Sequence, residues 1–493
     1  MKKFSYSGII KLILKIKNEN NFQGVVLVLD YSVKIGLVPD VRDLGDFATR
    51  KGIFEPAKGV ENKNKVVKFI KENFEDEKTE FCDLEWLNEM GVLYKNTDAK
   101  RVCEYLRAQK VDAIFLINCN FGNEEVLGRV AKEMGLPVLL WGPQDMVFEP
   151  DGLRYTDVQC GLFAISKQLR RYHIPFSYIE NCPVESEIFK DGLNKFLSVV
   201  TMVKNFKNLT VTQVGTRLNP FKSVMYNELE LTEKFGINLN NVNMAQIEDK
   251  FQRLLDSKAY ELIADVDDIK AKYDVGELDD ETLKKMLTFV YVYKEVFDDT
   301  EADVLSSECW TAMPLAFGAN PCLAMSILYD MGYIVTCESD IHGAITNALL
   351  MCATRGESAP MFGEFTVRHP ENRNAELLWH CGPFPYSAKD EKSQARLYNT
   401  KPSFKAKDGE YTIARFQGDD GHYTLLGGEY HTADGPYTFG TYMWAEFKDM
   451  SKIEKKLING PYIHHMSETR GKYADVLEEF CKFIPNLTYD PIE

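Results

Sequence analysis

VDAIFLINCN (residues 111–120), EEVLGRVAKEMG (124–135) and LPVLLWG (136–142) follow one another with barely a connecting residue. The first is a continuous apolar run of strand length, the pattern of a strand covered on both faces. The second is amphipathic at helical spacing, and Gly135 supplies a C-terminal stop. The third is again a short apolar strand. Strand, helix and strand joined this closely predict a parallel sheet with a crossover helix.

The same alternation extends in both directions. Upstream, GVVLVLD (24–30) reads as a buried strand, followed by charged helical sequence around residues 61–75. Downstream, a second α/β unit runs from the helical GLFAISKQLRRYHI (161–174) through FSYIEN (176–181) to LTVTQVGTR (209–217), a strand ending at Gly215. Residues 244–298 are helical and acidic, and DDIKAKYDVGELDDETLKKM within them reads as a solvated helical pair. TEADVLSSECW (300–310) and YIVTCESD (333–340) add strands, the latter feeding a helix through GAITNALLMCAT (343–354). Beyond residue 355 the texture changes. YTIARFQG (411–418), HYTLLGGEY (422–430) and YTFGTYMWAEF (437–447) are strand-like pieces set between Gly, Asp and Pro clusters. The expected fold class is therefore α/β, with two Rossmann-like parallel-sheet domains (1–160 and 161–350) and a C-terminal β-rich, barrel-like domain (351–493).

At 493 residues the chain exceeds a single core. Its formal net charge of −16 argues against nucleic acid and anionic membrane as partners. The 11 cysteines are scattered without a CxxC pair, so neither a zinc ribbon nor a thioredoxin-like site is signalled. Buried free thiols fit a reducing compartment. Near the N-terminus, Ile9, Leu12, Ile13 and Ile16 form one helical face interrupted by lysines, which reads as a helix rather than a secretory leader. No run approaches membrane-span length. A cytoplasmic location is expected.

Candidate chemistry gathers after the strand YIVTC. Ligands of open parallel sheets collect at the carboxyl ends of strands, and Glu338 and Asp340 stand there. Asp340 has a second reading, as N-cap of the following helix. Glu364 lies inside the apolar PMFGEFTV, and a carboxylate in such sequence is costly unless paired, protonated or on a metal. His380 follows two leucines and a tryptophan in LLWHCGPFP, and His464 and His465 form a doublet in NGPYIHHMSETRG. Read singly, each has a plain structural explanation. Together, two Glu and two His make a mixed oxygen and nitrogen ligand set suited to Mn²⁺ or a similar divalent ion such as Co²⁺ or Mg²⁺. Walker A, GxGxxG, HExxH and GxSxG sequences are absent. Cys309, in SSECWTAMP, reads as a buried structural thiol.

CESDIHGAIT (337–346) resembles the CE-x-D-x-x-GA-x-T pattern of the L-fucose and L-arabinose isomerase superfamily. WHCGPFP (379–385) resembles that family's His-containing strand, and IHH (463–465) its C-terminal histidine pair. The likeness is strong from Glu308 to Pro385 and weak over the first 150 residues. It implies two Rossmann-like domains and a C-terminal β domain, as read above. It also implies that Glu338 and Glu364 are both metal ligands and the acid/base pair, with His465 as C-terminal ligand. His380 matches a fourth ligand found in the arabinose isomerases. Trp310, Asp340, Arg368 and His464 are the expected substrate contacts. The implied activity is aldose–ketose isomerisation of an open-chain pentose or (6-deoxy)hexose through an enediolate, by a homo-oligomer, a trimer or hexamer. Another enediolate-forming lyase or epimerase, or a non-catalytic sugar-binding protein, are the alternatives.

Overall fold

The computed structural model describes residues 28–42, 52–145 and 152–493. The expected helical face of Ile9, Leu12, Ile13 and Ile16 lies outside these residues. The first sheet comprises β1 (Val33–Asp40), β2 (Thr79–Cys82), β3 (Ala113–Asn118), β4 (Val138–Trp141) and β5 (Ser177–Tyr178), in the order β2-β1-β3-β4-β5 and parallel throughout. All of β3 and β4 is buried, as continuous apolar runs require. The helix between them, Glu124–Met134, begins at Asn123, whose side chain accepts from the N–H groups of Glu125 and Val126. It ends at Gly135 in the left-handed region, φ 64°.

Residues 24–27 of GVVLVLD fall outside the described residues, and 28–30 carry no strand. The first strand among the described residues is VKIGLVPD, a run whose Gly and Pro argue locally against it. Position decides instead: β1 is central, paired on both sides, and Gly36 lies where a Cβ would meet Leu106 at 2.7 Å. The expected boundary at residue 160 falls inside the helix Val158–Arg171, whose chain goes on to supply β5 to the same sheet.

The second sheet is β6 (Thr210–Val214), β7 (Asn238–Val242), β8 (Val304–Ser307) and β9 (Ile334–Cys337), ordered β7-β6-β8-β9 and also parallel. The third contains β10 (Met361–Arg368), β11 (Ala375–His380), β12 (Arg396–Tyr398), β13 (Lys401–Lys405), β14 (Glu410–Asp419), β15 (His422–Ala433), β16 (Thr441–Glu446), β17 (His465–Arg470) and β18 (Leu487–Pro491). Its order is β12-β13-β16-β11-β10-β17-β14-β15-β18, and a further pairing of β15 with β16 closes six of these strands into a barrel. Closure leaves those strands without a free edge. Two parallel-sheet α/β units followed by a β barrel is the expected fold class. Among the described residues no helix is long and apolar enough to cross a membrane.

The helix Ile341–Ala353 joins the last two layers. All 13 of its residues are buried, as an all-round apolar sequence demands. It packs on β8 and β9 from one side and on β14 and β17 from the other. Its N-terminus is thereby fixed where the second sheet meets the barrel.

Candidate metal centre

Glu338 and Ser339 turn the chain from β9 into that helix, and both lie in the left-handed region, at φ 66° and 56°. Two such residues in succession, neither a glycine, hold backbone strain of roughly 1–3 kcal/mol each. Strain of that kind persists where surrounding packing over-determines the turn. Here the turn aims the Glu338 carboxylate toward the barrel and places Asp340 at the helix N-cap.

Asp340 is fully buried. One oxygen accepts from the Gly343 N–H at 3.0 Å, and the guanidinium of Arg415, itself buried on β14, grips both oxygens. The same carboxylate meets Nδ1 of His465 at 2.9 Å. Burial alone would raise Asp340, yet Arg415 and His465 hold it well below the usual carboxylate range. The N-cap reading is thus the one the structure carries. Asp340, expected as a substrate contact, has both oxygens engaged by Gly343, Arg415 and His465.

An ionised Asp340 fixes the His465 tautomer. Nδ1 carries the proton and donates, so Nε2 turns its lone pair outward. That Nε2 stands 3.2 Å from Oε2 of Glu338 and 3.7 Å from Oε2 of Glu364. Glu364 reaches this point because β10 pairs with β17 in a register that sets it opposite His465. His380, the last residue of β11, brings a ring nitrogen within 4.8 Å of ligand atoms of both Glu338 and His465. Oε2 of Glu338, Nε2 of His380 and Nε2 of His465 are buried without a hydrogen-bond partner. Orphaned polar atoms are expensive, and the Glu338 oxygen beside the His465 lone pair fits a cation. Adjacent ligands of an octahedral ion at ~2.1 Å stand about 3 Å apart, close to the 3.2 Å found here.

Burial raises Glu364 above the ordinary carboxylate range despite the two imidazoles nearby. For His465, burial opposes protonation, but Asp340 and Glu338 outweigh it and raise the imidazole above its ordinary value. His464 goes the other way: burial and the neighbouring His465 lower it to about 4, so it is neutral near pH 7. It lies at the rim, 41% exposed, with Nε2 3.4 Å from Glu364. Nδ1 of His380 accepts the Cys381 N–H at 2.9 Å, which assigns the proton of the neutral ring to Nε2.

The remaining expected contacts separate. Trp310 is half exposed and stacks on Phe221 at 5.5 Å, and Phe221 in turn lies 6.4 Å from the rings of His464 and His465. Trp310 therefore belongs to the mouth of the site. Arg368 does not belong to it. Its guanidinium pairs with Glu376 at 3.1 Å and Glu454 at 2.7 Å, and donates to the Arg373 carbonyl. Arg368, expected as a substrate contact, is placed in these ion pairs at the far end of β10. Arg415 was not foreseen, although an arginine within the apolar run YTIARF carries the same signal that singled out Glu364.

Residues 45–207 match the family described as "Fucose/sulfoquinovose isomerase, N-terminal domain". The sulfoquinovose isomerases of Priestia aryabhattai and Priestia megaterium are each 26% identical over 391 residues, covering 77% of this chain and 85% of theirs. That of Alkalicoccus urumqiensis is 26% identical over 335 residues, 66% of this chain and 74% of its own. The family match covers much of the N-terminal region in which the sequence motifs are weakest, and with the CESDIHGAIT segment and the three-layer fold these similarities support the fucose isomerase-like superfamily and indicate an aldose–ketose isomerase.

Proposed function

We propose that this enzyme isomerises an open-chain aldose to its ketose with a divalent ion, Mn²⁺ first among candidates, held by Glu338, Glu364 and His465. The observation that carries the reading is the meeting of two buried, unpartnered ligand atoms, Oε2 of Glu338 and Nε2 of His465, at the junction of β9 with the barrel, with Oε2 of Glu364 3.7 Å from that nitrogen. A bound ion supplies Lewis-acid polarisation of the sugar carbonyl.

The protein groups do the rest. Glu364, whose affinity for a proton is raised by burial, removes the proton at C2 and returns it at C1. Glu338 serves the proton transfers at the two oxygens, and the roles exchange in the reverse direction. Nε2–H of His380 donates to a substrate oxygen rather than ligating the ion, because Nδ1 is already engaged. Neutral His464 links Glu364 to solvent, so part of the transferred hydrogen exchanges with water. Phe221 and Trp310 form an apolar lip that limits solvent access.

Sulfoquinovose, which names the relatives, is the first sugar to offer this enzyme, followed by pentoses and 6-deoxyhexoses. The assay is ketose formation by chelator-treated protein with and without added Mn²⁺, in ²H₂O. Ketose carrying solvent deuterium supports the reading, and ion-independent turnover of every aldose refutes it. The homo-oligomeric state is proposed from the family, and light scattering showing an active monomer refutes that part.

A further inference from the structure

Behind the candidate metal centre the fold gathers sulfur. Cys337 is the last residue of β9, adjacent to Glu338, and Cys381 follows β11, adjacent to His380. Cys322 opens the helix Cys322–Asp330. The Sγ atoms of Cys322 and Cys381 are 3.8 Å apart. Those of Cys337 and Cys381 lie, with a ring nitrogen of His380, all within 4.8 Å of one another. Cys309 also contacts Cys337, and Sδ of Met325 is 3.6 Å from its thiol. Cys309, Cys322 and Cys337 are buried, and none of the four is in a disulfide.

A single buried thiol is ordinary apolar filler. Cys337 and Cys381 beside the His380 imidazole are a ligand set, and Cys322 adds a further sulfur next to Cys381. Sulfur atoms on a tetrahedral ion at ~2.3 Å stand about 3.8 Å apart, the separation of Cys322 and Cys381. Thiolates with imidazole select zinc-class ions over Mn²⁺, which prefers oxygen. A route in exists as well. Cys381 is partly exposed in a groove of about 160 Å³ lined by Trp379, Tyr398, Lys401 and Phe439.

We propose that Cys322, Cys337, Cys381 and His380 form a second cation site, for a thiophilic d¹⁰ ion of the zinc class. On binding, each thiol gives its proton to solvent and its sulfur lone pair to the ion. The ligating atom of His380 is then Nδ1, which gives up the Cys381 N–H, so an ion bound there shifts the ring whose Nε2–H is proposed to serve the substrate.

The test does not depend on the sugar. Reduced, chelator-treated protein is titrated anaerobically with Co²⁺ and observed in the near ultraviolet. The oxygen and imidazole groups of the candidate metal centre give no sulfur-to-cobalt charge-transfer band. The sulfur site gives one, abolished by one equivalent of Zn²⁺. The Cys322→Ser/Cys337→Ser double variant is expected to lose the band and at least tenfold in Zn²⁺ affinity against a chromophoric chelator. Cys381→Ala is expected to do the same should the double variant fold poorly. Wild-type protein without the band, or a band unchanged in a folded variant, overturns the proposal.

Discussion

Replacing Asp340 by Asn changes one atom and removes one charge, and the structure sets two separate costs. The first is to stability. Arg415 is fully buried, and its only charged partner among the described residues is Asp340. Breaking a buried pair by neutralising one member costs about 3–5 kcal/mol, because the other charge stays desolvated. The Asn oxygen still accepts a hydrogen bond, so the lower end is expected, about 3 kcal/mol. The second cost falls on the ion. An amide facing Nδ1 of His465 no longer demands a proton there, so the tautomer that exposes the Nε2 lone pair loses its preference. Loss of such an outer partner weakens metal affinity about 10–100-fold. Thermal melts of the chelated protein read the first cost, and Mn²⁺ titration by electron paramagnetic resonance, below the melting transition, reads the second. A folded Asn variant that binds Mn²⁺ as tightly as wild type refutes the role given to Asp340 and, with it, the assignment of His465 Nε2 as ligand.

Glu364→Gln is expected to fold and to lose about 10²–10⁴ in turnover with weakened Mn²⁺ binding; melting temperature, metal content and rate on one preparation check it. Chelator is expected to abolish ketose formation and Mn²⁺ or Co²⁺ to restore it, followed by product analysis. Arg368→Ala is expected to leave turnover unchanged and cost at most about 1 kcal/mol, since its ion pairs are partly exposed; kcat/KM and denaturant melts decide. His465 has a folded pKa above the ordinary 6.5, so its contribution to the apoprotein is complete below 6.5 and fades as pH rises through the folded value. Ion binding needs the deprotonated Nε2 and strengthens over the same rise. Melting temperatures with and without Mn²⁺ should therefore diverge as pH increases above 6.5.

What could be read from the sequence followed local rules. The strand-helix-strand of residues 111–142 was legible because its period and caps are local, whereas β1 was hidden by Gly36, which packs against Leu106, and by Pro39, which lies beyond the end of the β2 pairing. Glu364, His380 and His465 stood out as polar residues in apolar sequence. What joins them did not: Asp340 meets Arg415 across 75 residues and His465 across 125, separations at which no spacing rule operates. The position of Arg368 beside Glu364 said nothing of its pairing with the glutamates across the sheet and on the nearby helix. The sulfur cluster is the extreme case, since residues 322, 337 and 381 resemble no metal motif until β9 and β11 are brought together.

The candidate ligands divide one against two across a seam, with Glu338 on the parallel sheet and Glu364 and His465 on the barrel. A seam closed by shared ligation behaves as a clasp. Neither side holds the ion alone, so a fragment ending before residue 361 keeps the strained turn without its counterparts, and an isolated barrel keeps two ligands facing an open gap. Inheritance is constrained in the same way. The barrel can be exchanged between related chains only together with the end of β9 and the buried helix that aims it, while changes in the first sheet leave the clasp intact.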